Sequence, residues 1–139
     1  MTKNRGFELV SKYEGHSYLL PERATAHSAG YDLKSAETIE IQPNEIKLIP
    51  TGIKSYMRDN EVLFLMDRSS NPRKKGIVLI NSVGVIDSDY YNSDNEGHMF
   101  VKLTNDSNED KSLSLTAGQG MVQGIFFEFG RSEEHTSEL

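Results

Sequence analysis

Apolar and polar residues alternate in short runs along this chain, at 7–10, 38–41, 46–53, 62–66, 77–80, 98–103, 112–115 and 121–129. A period of two puts the apolar side chains of a strand on one face and the polar ones on the other. Turn formers separate the runs, among them Gln42-Pro43-Asn44, Arg58-Asp59-Asn60, Asn92-Ser93-Asp94-Asn95 and Asn105-Asp106-Ser107-Asn108. No long window keeps a 3.6-residue period. The pattern predicts eight or more short strands in an all-β sandwich or jelly-roll-like barrel, with at most a turn or two of helix around 71–75.

The 139 residues, 36% of them hydrophobic, suffice for one domain with a modest core, expected over 1–130. No apolar window approaches bilayer length, and the opening MTKNRGFELV has no apolar run of the secretory kind, so no membrane partner is expected. The chain has no cysteine, which excludes disulfides and thiolate chemistry and points to the cytoplasm, of a bacterium or of a phage-infected host. A net charge of −6 disfavours a nucleic-acid polymer as ligand, whereas one nucleotide needs only a local basic cluster. His16, His27, His98 and His135 lie too far apart for a zinc site. Residues 131–139 lack apolar periodicity and read as a polar, unstructured tail. The same nonapeptide matches the in-frame translation of a common short-read sequencing adapter, so a scar on a truncated gene is expected there.

Four segments stand out by their order: Ala29-Gly30-Tyr31-Asp32-Leu33, then Asp67-Arg68-Ser69-Ser70, then the stretch from Asn81 through Val83-Gly84-Val85-Ile86-Asp87 to Tyr90, and finally Gly118 to Phe126 with Gln123 inside it. Singly, each has an ordinary reading: a solvated loop, a turn-capping Asp, a core Tyr. In this order they resemble the first four of the five motifs of the trimeric dUTPase family, and the resemblance spans nearly all of residues 20–129. It implies the dUTPase-like β fold, a homotrimer with active sites between subunits, and hydrolysis of dUTP to dUMP and pyrophosphate, which keeps uracil out of DNA and supplies dUMP.

Site roles follow from the resemblance. Asn81 and a hairpin through Gly84, Val85 and Ile86 would read uracil, cytosine being rejected because its donors and acceptors are reversed and buried groups would go unpaired. Asp87 would be the general base, holding the water that attacks the α-phosphorus. The Tyr90 ring would stack on the deoxyribose and exclude a 2′-hydroxyl. Arg68, Ser69 and Ser70 would cradle the phosphates, where an Arg donates charge-assisted hydrogen bonds. Gln123 would lie against a nucleotide held by a neighbouring subunit. Asp32 would hold Mg²⁺ through water, an ion that favours few carboxylates, waters and phosphate oxygens.

Several positions depart from the family pattern. Asp67 stands where Gly or Pro is common, Tyr91-Asn92-Ser93 where a Gly is usual, and Gly120 where a basic residue is common. These differences point to a divergent branch of phage or Gram-positive type. The Gly-rich fifth motif, which closes over the phosphates, has no counterpart in 130–139. Two rivals share the fold. A dCTP deaminase needs a glutamate in the strand after the third motif, and 98–105 contains none, Glu96 being the nearest. A phage dUTPase-like regulator would act through protein contacts, and an intact Asp87 does not speak against it.

Overall fold

The structure is a computed structural model and describes residues 3–68 and 76–134. Ser69, Ser70, the helical turn expected at 71–75 and His135 lie outside the described residues. The strands are β1 (Gly6–Leu9), β2 (Glu22–Arg23), β3 (Tyr31–Lys34), β4 (Ile39–Ile41), β5 (Ile46–Pro50), β6 (Ile53–Tyr56), β7 (Glu61–Asp67), β8 (Ile77–Leu79), β9 (Val83–Asp87), β10 (Phe100–Asn105), β11 (Leu113–Leu115) and β12 (Gly120–Glu128). Short 3₁₀ turns at Ser11–Tyr13, Ser17–Leu19 and Ser88–Asn92 complete the described elements. Among the described residues no helix is long and apolar enough to cross a membrane.

The all-β expectation holds, and two details of it do not. The run at 46–53 is two strands, because Gly52 takes φ +76 and redirects the chain where an added Cβ would come within 2.7 Å of Leu19. Thr51 secures that corner, its hydroxyl donating to the Met99 carbonyl at 2.7 Å. Strands β2, β3 and β9 were absent from the alternation, and β9 is the one that matters most for the site.

The largest sheet has the order β2-β3-β12-β7-β9, the next β5-β10-β8, and two-stranded ribbons pair β1 with β6 and β4 with β11. Leu33, Leu63, Leu65 and Val122 of the first sheet and Ile49, Leu79, Val101 and Leu103 of the second belong to one buried cluster, which Tyr13 and Leu19 of the 3₁₀ turns also join. Each fully buried Leu or Ile of this kind contributes roughly 1.5–3 kcal/mol, so the long central pair β7 and β12 holds the frame on which the site is built.

Candidate active site

The second, first and fourth motifs meet at one end of the large sheet. Register places Asp32 of β3 opposite Gln123 of β12, and Gln123 opposite Met66 of β7. The guanidinium of Arg68, just past β7, lies 3.2 Å from an Asp32 carboxylate oxygen. Two glycines make room: a Cβ at Gly120 would collide with the Arg68 guanidinium, and one at Gly30 with the Gln123 amide. A bulge between Gly120 and Val122 bends β12 at this point. The Gln123 side-chain amide donates to the Asp67 carbonyl at 3.2 Å, so within its own chain it steadies the end of β7, next to Arg68.

Arg68 and Asp32 are each about one-third exposed, at 34% and 32%. A pair so open to water is worth only ~0–1 kcal/mol, and a phosphate group can therefore take Arg68 from Asp32 at small cost. That frees a carboxylate oxygen at the spot where phosphates would sit. One such carboxylate fits a Mg²⁺ ion that keeps most of its waters. No group of three or more His, Cys, Asp or Glu residues among the described residues could hold a metal without a ligand's help.

The third motif is built differently from the hairpin expected of it. The chain reverses at Ile80–Ser82, where Ser82 has φ +59 and the Val83 N–H donates to the Asn81 carbonyl at 2.5 Å. Val83 to Ile86 then run straight in β9, which pairs with β7, whereas β8 pairs with β10 in the other sheet. Strand β9 is an edge strand, and every second residue turns its N–H and C=O away from β7. An edge of this kind offers a base the donors and acceptors that the hairpin was expected to supply. Asn81 is exposed beside it, Val85 is 58% exposed, and Gly84 packs under Leu65.

Asp87 closes β9 and leads into the 3₁₀ turn that carries Tyr90. The Tyr90 hydroxyl donates to the His98 carbonyl at 2.7 Å and accepts from the Asn95 amide at 3.0 Å. Its ring is partly buried against the core and also walls a cleft of about 460 Å³, lined as well by Val85, Ile86, Asp87, Met99 and Phe100. Tyr90 thus does both jobs, core packing and cleft wall. Met99 and Phe100 were not foreseen as site residues, and only their place at the head of the run 98–103 hinted that one of the pair faces outward. Asp87 opens onto a second, more polar cleft, shared with Asp59, Ser88, Asp89 and Arg131.

His98 holds this wall from behind. Its Nε2 accepts the Gly52 N–H at 2.9 Å, and its ring lies 4.3 Å from Phe100, centroid to centroid. Burial pushes the imidazole below its ordinary value, Lys12 adds to that, and Glu96 and Glu37 oppose it. A neutral ring is therefore favoured in the folded chain more than in the unfolded one. Its stabilising contribution is complete above the ordinary imidazole value of about 6.5 and is lost as pH falls through the folded value. Protonation leaves the Gly52 N–H without its acceptor, at about 1–3 kcal/mol. We expect the melting temperature to fall between pH 7 and 5, and the fall to be smaller in His98→Gln, measured by thermal unfolding of both proteins across that range.

Glu96, the nearest candidate for deaminase chemistry, is committed elsewhere. Its carboxylate accepts from the Ser11 hydroxyl at 2.7 Å and the Ser11 N–H at 2.9 Å, and it pairs with Lys54 at 3.7 Å. It does not line the cleft of Tyr90 and Asp87.

A family model described as dUTPase matches residues 17–138. The chain belongs to the dUTPase family. The deoxyuridine 5′-triphosphate nucleotidohydrolase of Lactococcus lactis is 58% identical over 128 residues, covering 91% of this chain and 84% of that protein. The Haemophilus influenzae protein of the same name is 42% identical over 115 residues, covering 81% of this chain and 72% of its own. Among solved structures, a dUTPase from Streptococcus mutans matches with a TM-score of 0.88 and 56% identity over 93% of this chain and 99% of that one. A Staphylococcus bacteriophage 80alpha dUTPase with dUPNHPP matches at TM-score 0.78 and 24% identity, a likeness that shows the fold alone. The high identities to Lactococcus and Streptococcus dUTPases agree with the Gram-positive-like branch read from the departures.

Proposed function

We propose that this chain hydrolyses dUTP to dUMP and pyrophosphate, in a homotrimer whose active sites are completed between copies. The observation that carries the shared site is the separation of its parts. Four residue steps along β7, from Val62 to Met66, and three strand spacings, from β9 to β3, put Asp87 and Asp32 roughly 20 Å apart in one chain. A water held by Asp87 and a phosphate-bound metal held by Asp32 must act on one triphosphate. A second copy that brings its β9 end to the Arg68 end of the first removes the conflict.

In this reading the β9 edge and Asn81 read uracil. Asp87 orients the attacking water and takes its proton. Tyr90 closes the pocket over the deoxyribose. Arg68, with Ser69 and Ser70, takes charge on the phosphates, and Gln123 keeps the Arg68 end of β7 in place. Magnesium, when bound at Asp32, would neutralise phosphate charge. Residues 1–130 form the working body and 131–139 an appended tail, whose Arg131 touches only the Asp59 carbonyl and the Phe129 ring among the described contacts. With no cysteine to protect, the bacterial or phage-infected cytoplasm suits the enzyme.

The test is pyrophosphate release from dUTP beside dCTP, UTP and dTTP. Turnover of dUTP alone supports the proposal; release of ammonia from dCTP would replace it with deaminase chemistry. Tyr90→Ala is expected to lower the ratio of kcat/KM for dUTP over UTP while leaving that for dUTP over dCTP near the parent value. The ring's wall is removed there and the β9 edge stays. An unchanged dUTP to UTP ratio means that the ring's contact with the core is its whole role.

A further inference from the structure

The carboxylate of Asp67 does something that the roles above leave out. Asp67 is the last residue of β7, opposite Val122 of β12, and precedes Arg68 directly. Its Oδ1 accepts the backbone N–H of Leu79 at 2.9 Å. Leu79 belongs to the other sheet, where it faces Leu103 of β10, and it is buried at 3% exposure. The bond therefore crosses from the end of one sheet to the edge strand of the other. It lands two residues before Asn81, where the chain turns into β9. On its backbone side Asp67 is held as well, by the Gln123 amide on its carbonyl at 3.2 Å.

We infer that Asp67 is a positioning residue, a strut that ties the Arg68 end of β7 to the Asn81 turn and so sets where Arg68 presents its guanidinium to phosphate. Three features favour this over a merely solvated aspartate. The side chain is half-buried, and burial pushes its carboxyl above the ordinary range while the Leu79 N–H pulls the other way. The donor it satisfies is a buried strand N–H, which would otherwise go unpaired. The charged groups next to it, Arg68 and Asp32, already pair with each other, so its own charge is not needed to hold Arg68 by attraction. What the carboxylate supplies is an oxygen at a fixed place. An asparagine supplies the same oxygen and an alanine supplies none.

The inference has consequences that a purely stabilising aspartate lacks. Because each chain's Arg68 would serve one site and its β9 another, the strut holds parts of two neighbouring sites in register. Loss of it should loosen the phosphate grip more than the chemistry, and should do so at temperatures where the variant is fully folded.

The experiment compares parent, Asp67→Asn and Asp67→Ala in two ways. Amide hydrogen exchange at Leu79, followed by NMR, reads the strut without any substrate; faster exchange in Asp67→Ala and parent-like exchange in Asp67→Asn are expected. Steady-state kinetics with dUTP, well below the lowest melting temperature of the three, should show KM raised roughly tenfold in Asp67→Ala with a smaller change in kcat. That is the worth of one well-placed hydrogen bond. Asp67→Asn should restore the parent KM. The inference is overturned by an unchanged Leu79 exchange rate in Asp67→Ala, by a parent KM in that variant, or by Asp67→Asn behaving as Asp67→Ala does. The kinetic arm rests on dUTP hydrolysis as proposed above. A parent chain that released no pyrophosphate would sink that proposal, and the Leu79 amide would still decide the strut.

Discussion

Asp87→Asn is expected to keep the fold and the affinity for a non-hydrolysable dUTP analogue while lowering turnover on the order of 10²- to 10⁴-fold, the usual worth of a positioned general base. The substitution changes little besides the charge. Asp87 is exposed at the end of β9, its backbone leaves the strand at φ −22 and ψ 154 to begin the 3₁₀ turn, and asparagine adopts such a link as readily as aspartate. The side chain looks onto both clefts, so an amide of the same shape still fills its place there. What disappears is the capacity to accept a proton from water. Single-turnover pyrophosphate release together with calorimetric titration of the analogue separates the two effects. Hydrolysis at the parent rate would remove Asp87 from the role of base, and loss of analogue binding would make its role structural.

How far such a site could be read from residue order alone depends on the kind of information each part uses. Strand β10 alternates cleanly, Val101, Leu103 and Asn105 being buried and Phe100 and Lys102 exposed, whereas β7 and β12 at the centre of the large sheet read as apolar runs covered on much of both faces. Strand β9 does not alternate in that way. It lies at an edge, Val83 and Val85 are exposed, Gly84 contributes no side chain, and Ile86 alone of its apolar side chains packs against the core. Apolar residues facing outward in one chain are expected where another molecule covers them. The same blindness hid the break at Gly52, since a single left-handed glycine leaves the surrounding apolar pattern intact. Motif order identified Asp32, Arg68, Gln123 and Asp87 as candidates. Only strand register shows that the first three come together at one sheet end while the fourth lies at the other. The reach of the Asp67 carboxylate to Leu79 crosses between sheets, and no spacing along the chain encodes that distance.

That separation leads to a prediction with an effect as large as the loss of the base. Arg68→Ala removes the guanidinium proposed to bind phosphate at one end of the sheet, and Asp87→Asn removes the proposed base at the other. Each variant alone should be nearly inactive, a charge-assisted phosphate contact near the reacting centre being worth ~10²-fold or more. If one copy supplies the Arg68 end of a site and a neighbour supplies the β9 end, a trimer containing both variants regains whole sites. An Asp87→Asn chain contributes its sound Arg68, and an Arg68→Ala chain contributes its sound Asp87. Random assortment in an equal mixture gives about a quarter of all sites with both parts intact, and every trimer that contains both variants has one whole site in three, so the selected mixed trimers should recover about a third of the parent rate. The two variants, carrying different affinity tags, are unfolded together and refolded, and trimers with both tags are assayed for pyrophosphate release from dUTP. Separately refolded variants combined afterwards serve as the comparison, since their subunits have not assorted. Activity in the co-refolded sample no higher than the mean of the two variants would place Arg68 and Asp87 in one chain's site, and would require β9 or the Arg68 end of β7 to move by most of the ~20 Å that the strand register sets between the two ends.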